Sequence, residues 1–415
     1  MKKILCFLAL LVLGVGSYFI YNNYINNGIP KLITEEEKID IDNIFIYGTH
    51  LNFSGNLINE DNLDLVLYNG EFKDYKINAT DESFNLSDKV NEGLYLEDIP
   101  IGKYYVFLRS TIKNKDNEDT YKYYVLNNNT DYKNMTYYTF SNVGNKIEIG
   151  MDEEYNTLTI NVVKNKDKDI YDIVLDPGHG GIDSGASKNG YNESDLTMKI
   201  ALNLKKKLEN IGFTVKLTRE EKQLAKDEKL NDYGIHGRAV ISSEVHAKYV
   251  FSIHLNSSSA SYVNGIELYT ADNINYDFIK DMAKNIHDMA NVNYSSNKIN
   301  KKYDGVYTRV FTEYDIKNSK NDFIERNMKP YDVTTKSNYY FMIRETGGII
   351  TGAYVDDRNE KIKNNPYYNS NIGTEAYLLE LGYLSNKKEV TNIVNNIDKY
   401  TDAITKSCNL YINNN

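Results

Sequence analysis

Tryptophan is absent from the 415 residues, proline occurs five times and cysteine twice. The two cysteines, Cys6 and Cys408, lie at opposite ends of the chain, and Cys6 sits inside an apolar N-terminal run. A disulfide framework is therefore not expected. Basic charge is also in deficit: 48 Lys and Arg against 58 Asp and Glu leave a formal charge of −10. Broad binding to nucleic acid or to an anionic membrane surface needs a basic field, so neither is expected, although a local basic patch stays open. What is present is ordinary for a folded chain, with 41% hydrophobic and 26% charged residues. That composition excludes a wholly disordered protein, and at ~150 residues per domain the length implies two or three domains.

Residues 1–30 carry an address. Lys2 and Lys3 precede an apolar stretch from Ile4 to Ile20, at the lower limit of what spans a hydrocarbon core of ~30 Å. An uncleaved membrane anchor competes with a cleaved signal peptide, for which Gly14, Gly16 and Ser17 supply small residues near a cut. Both readings put the remainder outside the cytoplasmic membrane by the positive-inside rule. The anchor is preferred. No A-x-A site is present, and Tyr18, Phe19, Ile20 and Tyr21 prolong the apolar run past the point where a cleaved peptide should stop. Secretion after cleavage is the alternative.

From residue 35 to 165 short β-branched and aromatic runs alternate with Asn, Asp and Gly clusters, as at Leu63 to Tyr68, Lys103 to Arg109, Tyr121 to Leu126 and Thr157 to Val163. These are strand signals at short spacing, without long helical periodicity. They predict an all-β, Ig-like antiparallel sandwich. Such a domain serves as a spacer, a docking surface for a protein partner or a binder, and fold does not choose among these. The charged run Lys164 to Asp169 reads as a hinge.

The period changes in residues 169–415. Asp169 to Leu175 is a buried-strand run, Leu196, Ile200, Leu204 and Leu208 recur as one helix face, and Phe213 to Leu217 returns to strand. Further strand runs at Tyr249 to Ile253, Gly265 to Tyr269 and Ala376 to Leu381 predict an α/β domain, a mostly parallel open sheet with helices on both faces. A last helix starts at Asn386, with Glu389 completing a capping box and Ile393, Ile397, Tyr400 and Ile404 forming its stripe.

Four ionisable residues fall at strand ends or beside them. His179 lies in Asp176-Pro177-Gly178-His179-Gly180-Gly181, directly after a strand; His254 ends a second strand and Glu380 a third. Ligands bind at that carboxyl edge in open α/β sheets. Glu193 follows Asn192 at the start of the helix that packs back on the sheet, over the same rim. Two imidazoles and one carboxylate are the ligand set of a catalytic Zn²⁺, which leaves a fourth position for water and lowers its pKa to ~7. A second carboxylate can take that proton and pass it to a leaving amine, so amide hydrolysis is the natural reaction.

On these stretches the sequence resembles the zinc-dependent N-acetylmuramoyl-L-alanine amidases of bacterial cell-wall hydrolysis, often called type-3 amidases. The resemblance spans about Ile170 to Asn409. It rests on Val174 to Gly181, the Glu193 segment running into Leu217-Thr218-Arg219, Arg238 ahead of Phe251 to Asn256, Gly265-Ile266-Glu267, and Leu379 to Asn386. It implies that His179, Glu193 and His254 hold zinc, that Glu380 is the catalytic glutamate, and that the substrate is the amide joining the lactyl group of N-acetylmuramic acid to L-alanine in peptidoglycan. One departure is the long segment between Tyr269 and Glu380, which reads as a lid, a regulatory helix or a substrate wall.

Other residues read more plainly. His50, His236, His246 and His287 have no partner at ligand spacing and default to structural or solvated roles. Asp176 and Asn256 read as supports, Arg238 as a carboxylate partner that holds loops together. Glu267 sits in a strand without the flanking pattern of Glu380, and Cys408 reads as core. The alternative to an enzyme is a catalytically silent protein that binds wall or regulates a partner through the sandwich; a zinc peptidase cutting another amide is a third reading.

Overall fold

A computed structural model describes residues 38–413, apart from 58–62, 81, 131–135, 142–143, 154, 166–168, 182, 221–236, 326–332, 354–369 and 372. The apolar segment at the N-terminus and His236 lie outside the described residues. Among the described residues no helix is long and apolar enough to cross a membrane.

The strands between residues 38 and 163 join one hydrogen-bonded network of 13 strands that also takes in Ser370–Asn371. Alternation explains their burial. In the strand Gly102–Lys113, Tyr104, Val106 and Leu108 point into one core with Leu65, Leu67 and Leu126, while Phe107 points oppositely, onto Tyr68, Tyr123 and Val125. A fully buried side chain of this kind contributes ~1.5–3 kcal/mol, so both faces hold the strand in register. The network departs from the purely antiparallel pattern expected. Lys38–Tyr47 runs parallel to Asp119–Asn128, and Thr136–Phe140 runs parallel to Ser370–Asn371.

The second large sheet has seven strands, in the order Val215–Leu217, Ile173–Pro177, Tyr249–Asn256, Glu375–Tyr383, Glu267–Thr270, Val306–Thr308, Lys301–Tyr303. The first four are mutually parallel. Glu267–Thr270 then runs antiparallel to Glu375–Tyr383. Helices cover both faces. Glu193–Asn210, Asp277–Ala290 and Ile397–Tyr411 bury one face around Leu204, Ile253, Ile286, Leu379 and Ile404. Phe341–Thr346 and Arg238–Glu244 cover the other, around Val174, Val250, Tyr269 and Leu378. This is the mixed α/β arrangement that the periodicity predicts.

The chain end is two helices, Lys387–Asn395 and Ile397–Tyr411, where one was expected. Asn396 breaks them: its φ of −130° is outside the helical region, and its side chain turns back onto Asn392. The expected capping box is half made. Asn386 accepts from the backbone of Lys388 and Glu389, but the Glu389 carboxylate accepts from the Gly265 and Tyr383 amides instead.

The β-rich region packs on the amino edge of the second sheet. Phe45, Tyr47 and Val90 enter the core cluster of Ile173 and Tyr377. Lys248 and Glu97 form a buried ion pair at 2.6 Å, and Asn91 donates to Glu375, the first residue of the Glu380 strand, at 3.0 Å.

Candidate metal centre

Parallel pairing builds the rim. Ile173–Pro177 pairs with Tyr249–Asn256, which pairs with Glu375–Tyr383 so that His254 stands beside Glu380. The loop after Pro177 then turns over the rim at His179, whose φ of +60° is in the left-handed region. That conformation costs a non-glycine residue on the order of 1–3 kcal/mol and concentrates at functional sites. Gly178 permits the approach: a Cβ there would lie 2.4 Å from the His254 ring. Buried Leu196, Ile200, Leu204 and Leu208 seat the helix Glu193–Asn210 on the sheet, which brings Glu193, its first residue, to the same place.

The structure thus brings together His179, Glu193 and His254. One ligand atom from each lies within 4.8 Å of the others. Glu193 Oε2 is 3.1 Å from His179 Nε2, and its Oε1 is 3.1 Å from His254 Nδ1. The Ala186 and Leu255 amides donate to the same two oxygens. Burial pushes the Glu193 carboxyl upward, but the hydrogen bonds from His179 and His254 prevail and hold it well below the usual range. For His179, burial favours the neutral ring, and the Glu193 and Asp183 carboxylates outweigh it, so its pKa is raised.

Glu380 is different. Its Oε2 is buried with no hydrogen-bond partner among the described residues. Burial, then the neighbouring Glu193 and Glu267 carboxylates, push its pKa well above the ordinary value. An orphaned, desolvated carboxyl oxygen next to a His–Glu–His donor set is the profile of a group that meets its partner only when a cation or substrate arrives.

The supports fall largely where expected. Asp176 is no ligand: it is fully buried and accepts from Arg238 Nε at 2.7 Å and Nη2 at 2.8 Å, and from Thr218 and Ser252, each at 2.6 Å. Asn256 donates to Glu267 at 3.3 Å. His50, His246 and His287 stay outside the cluster; His246 packs on Phe140 at 4.3 Å and His287 on Tyr294 at 4.3 Å. Cys408 is buried in the core. Sequence reasoning missed Asp183, which lies 2.7 Å from His179 Nδ1. Its signal is available: a carboxylate four residues past a histidine in a glycine-rich turn. The long segment before Glu380 contains the sheet-extending strands Lys301–Tyr303 and Val306–Thr308, and a helix, Glu313–Glu325, that buries none of its residues.

The fold and rim define the class of mixed α/β proteins that carry a three-residue set able to hold a metal ion on the carboxyl edge of a mostly parallel sheet. Residues 173–409 match the family model of N-acetylmuramoyl-L-alanine amidase, and the chain belongs to that family. Among curated proteins it is similar to the probable cell wall amidase LytH of Staphylococcus saprophyticus, 42% identical over 100 residues that make up 23% of this chain and 30% of that one. It also resembles a protein of Buchnera aphidicola provisionally named N-acetylmuramoyl-L-alanine amidase, 29% identical over 144 residues, 34% of this chain and 56% of the other. The chain thus spans between about a third and just over half of the length of these relatives. Among solved structures, the catalytic domain of CwlV, an N-acetylmuramoyl-L-alanine amidase from Bacillus (Paenibacillus) polymyxa, is 21% identical with a TM-score of 0.38, covering 59% of this chain and 99% of its own.

Proposed function

We propose that this protein is a zinc-dependent amidase that hydrolyses the bond between the lactyl group of N-acetylmuramic acid and L-alanine in peptidoglycan. The observation that carries the reading is the convergence of His179, Glu193 and His254 within 4.8 Å beside the partnerless oxygen of Glu380. The residues fit a zinc ion in donor chemistry, with two imidazoles, one carboxylate and no thiolate. When bound, zinc supplies Lewis acidity, polarising the amide carbonyl and acidifying a water.

The chain's own residues do the rest. Asp183, against His179 Nδ1, fixes the tautomer that turns the Nε2 lone pair toward the cluster. The Ala186 and Leu255 amides orient Glu193. Asp176, gripped by Arg238, locks the His179 loop to the sheet, since Arg238 Nη1 also reaches the His179 carbonyl at 3.5 Å. Glu380 takes the proton of the attacking water on its free oxygen and delivers it to the departing L-alanine nitrogen as the carbonyl–nitrogen bond breaks. The products are a lactyl carboxylate and a free amine.

In this reading the catalytic domain runs over residues 169–415. Residues 35–165 form a sandwich domain for spacing or for docking a protein partner, and residues 1–30 tether the protein to the outside of the cytoplasmic membrane. An acidic enzyme facing polyanionic wall polymers gains no electrostatic retention, which favours a tether. The test is digestion of purified muropeptides with and without a chelator, followed by mass spectrometry of the products. A free lactyl carboxylate and a free L-alanine amine, both lost on chelation and restored by zinc, are expected; cleavage at another amide, or cleavage indifferent to chelator, refutes the proposal.

A further inference from the structure

Beside the proposed catalytic glutamate lies a second carboxylate that the reaction above does not use. Glu267 is 2% exposed and pairs directly with Glu380 across antiparallel strands. Its Oε2 accepts from Tyr269 Oη at 2.6 Å and Asn256 Nδ2 at 3.3 Å. Its Oε1 accepts from Ser295 Oγ at 2.5 Å and Tyr383 Oη at 2.9 Å. An ionised carboxylate has about four acceptor sites and no donor, so four donors match it group for group. Glutamine would set an amide N–H against hydroxyls already acting as donors.

The four donors come from distinct parts of the rim. Asn256 lies two residues past His254, and Tyr383 three residues past Glu380. Ser295 belongs to a loop held by its own amide on the Ile266 carbonyl and by Tyr307 on its carbonyl. Glu267 is therefore the point where the ends of the His254 and Glu380 strands are tied to a third strand and a loop. Burying a carboxylate costs several kcal/mol before its hydrogen bonds are counted, so a cross-tie needed only for stability is more cheaply made apolar.

Resting on the amidase reading, we propose that Glu267 is a positioning residue: it fixes the Glu380 side chain relative to His254 by anchoring the segments that follow both. Misplacement of a catalytic group by ~1 Å costs about 10²-fold in rate, and that is the scale of the expected effect. The effect falls on kcat, because Glu267 donates nothing to substrate.

The experiment compares wild type with Glu267→Ala, Tyr383→Phe and the double variant, measuring kcat, KM and bound metal on a muropeptide substrate. Expected are a fall in kcat of about 10²-fold for Glu267→Ala with KM within about twofold and the metal retained. Tyr383→Phe, a mild change that keeps the ring in place, lowers kcat less, and the double variant is no worse than Glu267→Ala, because both changes cut the same tie. Unchanged kcat in Glu267→Ala, or additive effects in the double variant, overturns the proposal. Should Glu267→Ala not fold, Tyr383→Phe with unchanged kcat overturns it alone. Absence of amidase activity in the wild type refutes the amidase reading instead, so the two failures are distinguishable.

Discussion

His254 and Glu380 occupy paired positions on adjacent parallel strands, yet they have opposite surroundings. The imidazole faces Glu193 at 3.1 Å, whereas Glu380 Oε2 faces no donor among the described residues. One sheet register therefore sets the group proposed to bind metal beside the group proposed to transfer the proton, and substitutions separate the two proposed roles.

Glu380→Gln removes the proton acceptor and leaves the three donor side chains in place. Turnover should fall 10²–10⁴-fold while one equivalent of metal is retained, as measured by initial rates and elemental analysis. His179→Ala or His254→Ala should lose both. Stoichiometric metal loss in Glu380→Gln would make Glu380 a ligand.

Gly178→Ala tests the crowding at the rim. The added methyl would stand 2.4–2.6 Å from three atoms of the His254 ring, so the ring must move out of the cluster. Weaker metal binding is expected in a chelator titration, with secondary structure by circular dichroism unchanged. Affinity equal to wild type would mean that the loop yields instead of the ring.

Arg238→Met leaves Asp176 buried and without its cation. Removing one partner of a buried pair costs about 3–5 kcal/mol, and urea unfolding should register a loss of that order. Asp176 stays well below the ordinary carboxyl range despite its burial, because Arg238, Ser252 and Thr218 hold its charged form. Its contribution is therefore present above the unfolded pKa and lost as pH falls toward the folded one. The double change Asp176→Leu with Arg238→Met should recover part of the loss.

Glu375, at the seam with the β-rich region, behaves in the opposite sense. Burial pushes its pKa from 4.5 up to about 7, against hydrogen bonds from Tyr377 and Asn91. The folded state thus binds this proton more tightly than the unfolded chain. Its stabilising contribution is complete below pH 4.5 and is lost as pH rises through about 7. Glu375→Gln, isosteric and neutral, should raise Tm at pH 8 and change it little at pH 5, as followed by thermal melts at both. An equal effect at the two pH values would show that the proton is not shared unequally between the states.

Particular residues show how far a one-dimensional reading reaches. Leu196, Ile200, Leu204 and Leu208 announce their helix because one face of a 3.6-residue period must be apolar to bury itself. His179, His254 and Glu380 are recognisable because each lies close to the carboxyl end of a strand run, and such ends share an edge in a parallel sheet. The strands of His254 and Glu380 continue to Asn256 and Tyr383, beyond the ends expected for them. Asp183 goes unread because a turn in the left-handed region brings it back onto His179, and that turn leaves no periodic signal. The four-donor shell of Glu267 is equally silent, since Tyr269, Asn256, Ser295 and Tyr383 meet only after three strands and a loop are assembled.

The sequence by itself determined the strand-rich character of residues 38–163, the alternation of strand and helix after residue 169, and which ionisable side chains lie near the carboxyl ends of strands, because these follow from local periodicity and chain direction. Tertiary structure alone decided which strands are neighbours, that Glu193 faces both imidazoles, that Glu380 Oε2 is buried without a donor among the described residues, and that Asn91 reaches the Glu380 strand. Those facts depend on contacts between residues far apart in the chain, and such contacts are fixed by packing and hydrogen-bond satisfaction, which no local pattern encodes.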